Sequence, residues 1–505
     1  MQRTRTTLPA LGAAAVLALA TACGSTVATT SSSASFDPSI DGRPPSTAPS
    51  SLPGVTPALR APSSAATAPT GSYNTATSTD PGSLSPGAGT SVGPVAAGGT
   101  SAARATGPVE VGVAVETDAS TIGKQFGYQS LDFGDQKGSI TAAVNWVNAH
   151  GGWLGRKVVP VWYDVSSLGN ASSEASEACS LWTQDHHVIA ASLVGRIQND
   201  EMYSCLHKAH SLVLGGMGYP ILRGTAAKYA PDVLSINSPT FDRFVPVWLD
   251  QLQKVGYFTG WDATAGASGK APVKVGIVYE ANSLSDAVWS FVKRQLEKRH
   301  LDVPVIASYS SAQELSGVVL QFKGRGVTHV LMDQSAGFLY PQQAESQHYR
   351  ARYGLNSLNF IQPYLVNGAV PKSQLAGMVA VGWTPDLDVA DAQDPGQAPA
   401  QTTCLRIMRA GGVDVSRRTY KYVAFGACDL VFLLNDAFKT AGQVTGPGLR
   451  QGMRAVAGSF PMTSQLAIAD NGTDPSLLAA VRPLVYDASC QCTKYAGPQM
   501  RLPRF

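Results

Sequence analysis

The chain has 505 residues, of which 44% are hydrophobic and 14% charged, with a formal net charge of +3. That length and apolar content allow two or three domains around sizeable cores. Thirty-eight basic residues against 35 acidic ones leave no polybasic footprint, so nucleic acid is excluded as an expected partner.

At the start of the chain, Arg3 and Arg5 precede an apolar run from Leu8 to Leu19. It is too short to span a bilayer as a helix. Ala20-Thr21-Ala22-Cys23-Gly24 then sets small residues before a cysteine. This resembles a bacterial lipoprotein signal, with Leu19 one place earlier than the usual leucine. The resemblance implies a signal peptide over residues 1–22 and lipidation of Cys23, hence a membrane anchor on the extracytoplasmic face. The other reading is an ordinary secretory signal cut at Ala22. No further run of 18 apolar residues occurs, so no membrane span is expected.

Residues 23–107 are Ser, Thr, Pro, Ala and Gly almost throughout. Such a composition buries too little apolar surface to offset its ordering entropy, which predicts a disordered stalk. Gly89-Thr90-Ser91-Val92-Gly93 matches the letters of a nucleophile elbow but lacks the strand and helix that motif needs.

From Val109 the pattern changes. Val109, Val111, Val113 and Val115 alternate as in a buried strand. Glu116 to Ser120 is loop and cap chemistry. Ile140, Ala143, Val144 and Val147 repeat along one helix face, and Gly151-Gly152 supplies the permissive C-cap. Val158, Val159 and Val161 give a second strand, so the first unit is βαβ. The stretch AAVNWVNAHGGWLGRKVVPVWYD, with its Asn-x-x-Gly-Gly-x-x-Gly-Arg-Lys core, resembles the first lobe of the branched-chain amino-acid type of bacterial substrate-binding protein. The resemblance extends over most of residues 109–505. It implies an α/β fold of two doubly wound parallel-sheet lobes joined by a three-segment hinge, the type 1 periplasmic-binding fold.

The remaining elements fit that alternation. A helix is expected from Ala171 to Asp185, a strand from Val188 to Gly195, a helix opened by Arg196 to Asp200, and a strand at Leu212-Val213-Leu214. The second lobe is expected to begin near Pro239, with a helix from Phe241 to Val255 and a strand from Lys274 to Tyr279. A helix follows from Ala287 to Arg299, then strands at Val303–Ala307, Thr328–Met332 and Asn359-Phe360-Ile361. Residues between Gly260 and Ala271 read as an exposed Gly/Ala-rich loop. Met378 to Gly382 resembles a return to the first lobe, before helices at Cys404–Arg409 and Val423–Ala441 and a last strand near Pro483–Tyr486. The resulting boundaries are lobe 1 over 108–238 and 363–455, lobe 2 over 239–362, and a lobe 2 return with C-terminal tail over 456–505.

Setting Cys23 aside leaves Cys179, Cys205, Cys404, Cys428, Cys490 and Cys492, which permit 15 pairings in an exported protein. Cys179 with Cys205 is the first expected pair, since both fall in neighbouring first-lobe helices. The other four are expected to tie the last helices to the C-terminal strand, Cys490 and Cys492 serving two separate bridges.

Ligands of open α/β sheets sit outside the C-terminal ends of the strands, so two facing lobes make one cleft. The first lobe offers Glu116, Thr117, Gln198, Asn199, Met217 and Tyr219. The second offers Tyr279, Glu280, Asp333, Gln334 and Ser335, with Tyr364 and Trp383 near the crossovers. Amino-acid binders of the resembled type present Ser and Thr hydroxyls from two first-lobe loops. Asn199 and Gly216-Met217-Gly218 stand there instead, and only Asp333 follows the Thr328–Met332 strand to meet an ammonium group. An unneutralised ammonium in a closed cleft is costly. The expected ligand is therefore a larger or less polar small molecule, with Tyr219, Tyr364 and Trp383 available to stack on it.

Asp185-His186-His187 is not expected to hold a metal, because adjacent side chains of an extended run point apart. Most histidines (His186, His187, His207, His210, His300) fall in helices or at their ends and read as solvated. No zinc-protease motif, Walker loop or nucleophile–base pair is present. Neither catalysis nor a cofactor is expected. The resemblance implies capture of a small molecule and delivery to an ABC-type importer permease. A ligand-sensing or protein-interaction lipoprotein without a permease is the alternative.

Overall fold

In a computed structural model, the structure describes residues 107–118, 121, 131–167, 169–215, 220–467, 469–470 and 473–504. They lie in one compact unit, residues 98–505. The signal, Cys23, most of the stalk, Met217 and Tyr219 lie outside the described residues.

Two separate sheets carry the fold. β1 (Val109–Val115), β2 (Val158–Asp164), β3 (Ala190–Leu193), β4 (Leu212–Gly215) and β5 (Val233–Ser235) form an all-parallel sheet in the order β2-β1-β3-β4-β5. A small hairpin, β6 (Trp261–Asp262) with β7 (Ala267–Ser268), stands where an exposed loop was expected, with Trp261 buried. The second sheet contains β8 (Lys274–Glu280), β9 (Asp302–Tyr309), β10 (His329–Met332), β11 (Arg352–Asn356) and β12 (Val379–Gly382) in parallel. The antiparallel β13 (Ala480–Asp487), β14 (Cys492–Tyr495) and β15 (Met500–Arg501) complete it, in the order β14-β13-β12-β11-β10-β8-β9 with β15 against β13.

Period-two alternation decides which face each strand residue serves. Val109, Val111, Val113 and Val115 pack under α1 (Gln136–Ala149). Ala114, Val161, Ala191, Leu193 and Val213 face α2 (Ala171–Ser180), α3 (Asp200–Lys208) and the short α4 (Arg223–Ala227) on the opposite side. α1 begins on Asp135, whose Oδ1 accepts from Gly138 N at 2.7 Å. It ends before Gly151 and Gly152, both at positive φ, as its C-cap requires.

The second sheet is sandwiched in the same way. Val275, Ile277, Leu331, Val379 and Val381 pack against α5 (Phe241–Lys254) and α6 (Ser283–Glu297). Val278, Val330, Met332 and Ala380 face α7 (Leu315–Gly324), α8 (Ala336–Ser346), α9 (Ile361–Val366) and α10 (Pro385–Asp388). After α10 the chain returns to the first sheet, where α11 (Pro399–Ala410), α12 (Arg418–Ala441) and α13 (Gly446–Val456) share the core beneath α1. Among the described residues no helix is long and apolar enough to cross a membrane.

Three expectations need correction. Asn359-Phe360-Ile361 is not a strand. The strand is β11, and a 3-10 turn then closes as Asn359 Oδ1 accepts from Asn356 N at 2.9 Å and Asn356 Oδ1 accepts from Leu358 N at 3.0 Å, with Phe360 at φ 46° opening α9. Met378 to Gly382 does not return to the first sheet, because β12 pairs with β11 and β13. Cys179 does pair with Cys205, but Cys404 bonds Cys428 between α11 and α12, and Cys490 bonds Cys492 within the β13–β14 turn. No bridge ties the last helices to the C-terminal strand.

The chain crosses between the sheets after β5, after β12 and after α13, and the three crossings meet. Trp383 Nε1 donates to Asn237 O at 2.9 Å, Leu466 N to Trp383 O at 3.2 Å, and Leu477 N to Ser235 O at 2.9 Å. Beneath them Arg243 is fully buried, ion-paired with Asp470 and 3.9 Å from Asp474. Thr240 Oγ1 donates to Asp474 at 2.7 Å.

Candidate functional site

The C-terminal ends of β1, β2 and β3 bring three short loops together. Glu116 follows β1, and its backbone is pinned by Gln136, whose Nε2 donates to Glu116 O at 2.6 Å. Ser166 and Ser167 follow β2. The Ser167 hydroxyl lies 2.6 Å from Glu116 Oε1 and 2.7 Å from Asp118 Oδ1, while Ser166 Oγ donates to Asp118 Oδ2 at 2.8 Å. After β3, Gly195 turns at φ 55° with its Cα facing Glu116, where a Cβ would come within 3.4 Å of Oε2.

Burial raises the Glu116 carboxyl above its ordinary range. The Ser167 donor offsets part of that, and Asp118 adds repulsion. Burial alone would also raise Asp118, but the donors from Ser167 and Ser166 outweigh it and hold that carboxyl low. The two acids therefore differ: Asp118 is the settled anion and Glu116 the easier one to protonate.

Arg196 follows Gly195 and bridges the lobes. Its Nη1 donates to Gly169 O at 3.0 Å, and its Nε lies 3.5 Å from Glu280 Oε1 at the end of β8. Ser335 Oγ donates to the other Glu280 oxygen at 3.1 Å. Asp333 accepts from Glu280 N at 2.6 Å, Ala336 N at 2.9 Å and Tyr309 at 3.3 Å. Burial nevertheless outweighs these donors and lifts its carboxyl to about 7. Tyr364, on α9, stacks on Phe338 with ring centroids 4.5 Å apart. Burial raises its phenol far above the ordinary value, and the charge of Glu116 raises it further. Leu131 and Phe133 precede α1 yet pack into the second-lobe core, Phe133 edge-on to Phe360 at 5.8 Å.

The structure thus links Glu116, Glu280, Asp333 and Ser335 of the expected residues through Ser167 and Arg196, while Tyr364 packs on Phe338 and Phe360. Thr117 is exposed beside them and Gln334 half-buried. Gln198 is buried at the end of β4, close to Gly215. Asn199 caps α3, its Oδ1 accepting from Met202 N at 2.9 Å, so the helix starts later than Arg196. Tyr279 donates to Asp286 at 2.8 Å and stacks on Trp289, and Trp383 is a hinge residue with no exposure. His186 and His187 are taken up by Glu110 at 3.3 Å and Thr183 O at 2.7 Å. Residue-by-residue reading missed Asp118, Ser166, Ser167, Arg196 and Phe338. All but Phe338 lie within four residues after a strand, which is the signal that points to them.

Residues 128–474, well over half of the chain, match a family model described as "Periplasmic binding protein". No curated protein matches the sequence. Among solved structures, a solute-binding protein of an ABC transporter from R. palustris in complex with 4-hydroxybenzoate superposes with a TM-score of 0.54 at 12% identity, covering 78% of this chain and 98% of that one. A fatty acid ABC transporter substrate-binding protein from Thermomonospora curvata gives 0.53 at 14% identity, covering 79% and 94%. A possible leucine/isoleucine/valine-binding protein from Rhodopirellula baltica SH 1 gives 0.53 at 13% identity, covering 78% and 97%. At such identities the likeness is one of fold.

Proposed function

The chain belongs to the periplasmic binding protein family, and from that premise we propose that it is a solute-binding lipoprotein that captures a small molecule between its lobes and delivers it to an ABC importer. The observation that carries this reading is the cleft itself. Charged groups after the strand ends of both sheets meet there, with Arg196 reaching Glu280, and among the described residues the covalent links between the lobes are three crossings. A ligand touching both faces favours the closed arrangement by its differential contacts alone, with no covalent step. The structural relatives include a 4-hydroxybenzoate complex, a fatty acid transporter's binding protein and a possible leucine/isoleucine/valine-binding protein, which supports a small-molecule ligand without choosing its class. The lipid on Cys23 would hold the protein at the extracytoplasmic face, and two or more acyl chains anchor stably where one does not.

A thermal-shift screen against amino acids, amines, aromatic and fatty acids, sugars and nucleosides tests the reading. A ligand at 100 times its Kd should add about 2.7 kcal/mol of stability. Transport is tested separately: deleting the gene should abolish uptake of the hit, and Cys23→Ala should release the protein from the membrane. Stabilisation by no class of small molecule would overturn capture, and unchanged uptake would overturn delivery.

A further inference from the structure

Cys490 is the one exposed cysteine among the described residues, and its disulfide to Cys492 spans a single residue. The other two bridges are of a different kind. Cys404–Cys428 is fully buried between α11 and α12, and Cys179–Cys205 is half-buried between α2 and α3; they close 24 and 26 residues. By chain entropy a bridge stabilises according to the length of the loop it closes, so Cys490–Cys492 adds least to the fold.

The turn that carries this bridge is held without it. Asp487 pairs with Cys492 across β13 and β14, and Asp487 Oδ1 accepts from Ser489 N at 2.8 Å and Ser489 Oγ at 2.7 Å. Lys494 ion-pairs with the other oxygen of Asp487. Next to Cys492, Thr493 N and Oγ1 donate to Gln362 Oε1 at 2.8 and 2.7 Å, which fixes β14 to α9. Gln491, inside the ring, stands at φ 51°, in the left-handed region that costs a residue with a Cβ. Opening the ring frees that residue and leaves the sheet in place.

We propose that Cys490–Cys492 is a thiol–disulfide exchange site whose substrate is a dithiol. The site is independent of capture in the cleft, because β13 runs antiparallel to β12 and so sets the turn at the end of the sheet opposite the cleft. A thiolate of the donor attacks the exposed Cys490 Sγ. The S–S bond breaks, its electron pair leaves on Cys492 Sγ, which takes up a proton, and a mixed disulfide joins the donor to Cys490. The donor's second thiol, as thiolate, then attacks its own sulfur in that mixed disulfide and expels Cys490 as a thiolate, which is protonated. The donor leaves as a disulfide, and two electrons and two protons have passed to the pair. Cys490 takes the attack because Cys492 is buried at the start of β14, and access governs which sulfur of a disulfide reacts. Exposed disulfides are also the more readily reduced.

Graded mixtures of reduced and oxidised dithiothreitol test this on the full-length protein, with acid quenching, alkylation and mass mapping of every cysteine. Cys490 and Cys492 should appear as thiols together, at a reduced-to-oxidised ratio about tenfold or more below that which opens either other bridge. Circular dichroism should stay unchanged as they do. Reduced glutathione, a monothiol, should be trapped on Cys490. Cys492→Ser should take glutathione from its disulfide at Cys490, and Cys490→Ser should leave Cys492 unmodified. Opening no earlier than Cys179–Cys205, opening only with loss of the fold, or glutathione trapped on Cys492 would overturn the exchange site. Ligand capture is read separately by the thermal-shift screen, so failure of one reading leaves the other standing.

Discussion

Arg196 and Glu280 carry the most specific residue-level consequence of the fold. They belong to different sheets, and the 3.5 Å contact exists only while the lobes are together. Both are partly exposed, so the pair contributes less than ~1 kcal/mol to global stability. Glu280→Gln should leave the melting temperature nearly unchanged yet shift the unliganded protein several-fold toward open forms, read as a larger radius of gyration in solution scattering. Scattering identical to the wild type would show that the pair holds nothing closed. Asp388 gives a pH consequence. It is buried in α10, and burial outweighs the donors Ser357 and Thr384 to lift its carboxyl to about 7. The folded chain then binds this proton more tightly than the unfolded chain between pH ~4 and ~7. Stability is fully present below that window and is lost as pH rises through it, by up to ~4 kcal/mol per such group. Melting temperature should fall from pH 5 to pH 8, and Asp388→Asn should reduce that slope.

At the scale of elements, strands and helices were legible wherever apolar residues kept one period long enough. β1, α1, β2, α5, β8 and α12 all stand close to where alternation or helical spacing put them. Asn359-Phe360-Ile361 misled because two asparagine side chains replace the ladder with local hydrogen bonds, which residue type alone does not announce. Met378 to Gly382 misled because a buried parallel strand reads alike in either sheet. The disulfides divide similarly. Neighbouring helices made Cys179–Cys205 legible, whereas Cys404–Cys428 depends on α11 folding back along α12. Cys404–Cys428 closes 24 residues and by chain entropy contributes roughly 3–4 kcal/mol. Replacing both cysteines by alanine should lower denaturant stability by about that amount. The same change at Cys490 and Cys492, two residues apart, should cost less than half as much. Equal losses would mean that the bridges act through the folded state instead.

For the whole molecule, the hinge and the cleft are one device. The three crossings are held by Trp383, Asn237 and Leu466, with the buried Arg243 ion-paired to Asp470 below them. Arg243→Ala would strand the buried Asp474 without its cation and leave Asp470 with Arg504 alone, and should cost about 3–5 kcal/mol. Much of this architecture was legible from the βαβ alternation. The site was legible only as a set of strand ends, because contacts such as Arg196 to Glu280 join residues 84 positions apart that no local pattern relates. Closure of the cleft on a ligand is the central claim, and an interlobe distance tests it most directly. Fluorophores placed at Val159 and Leu320, exposed positions on the first and second lobes, report that distance by single-molecule energy transfer. Saturating ligand should collapse a broad or two-state distribution onto the shorter distance, and Glu280→Gln should raise the longer-distance population before ligand is added. A distribution that ligand leaves unmoved, at concentrations where calorimetry shows full binding, would contradict capture by closure.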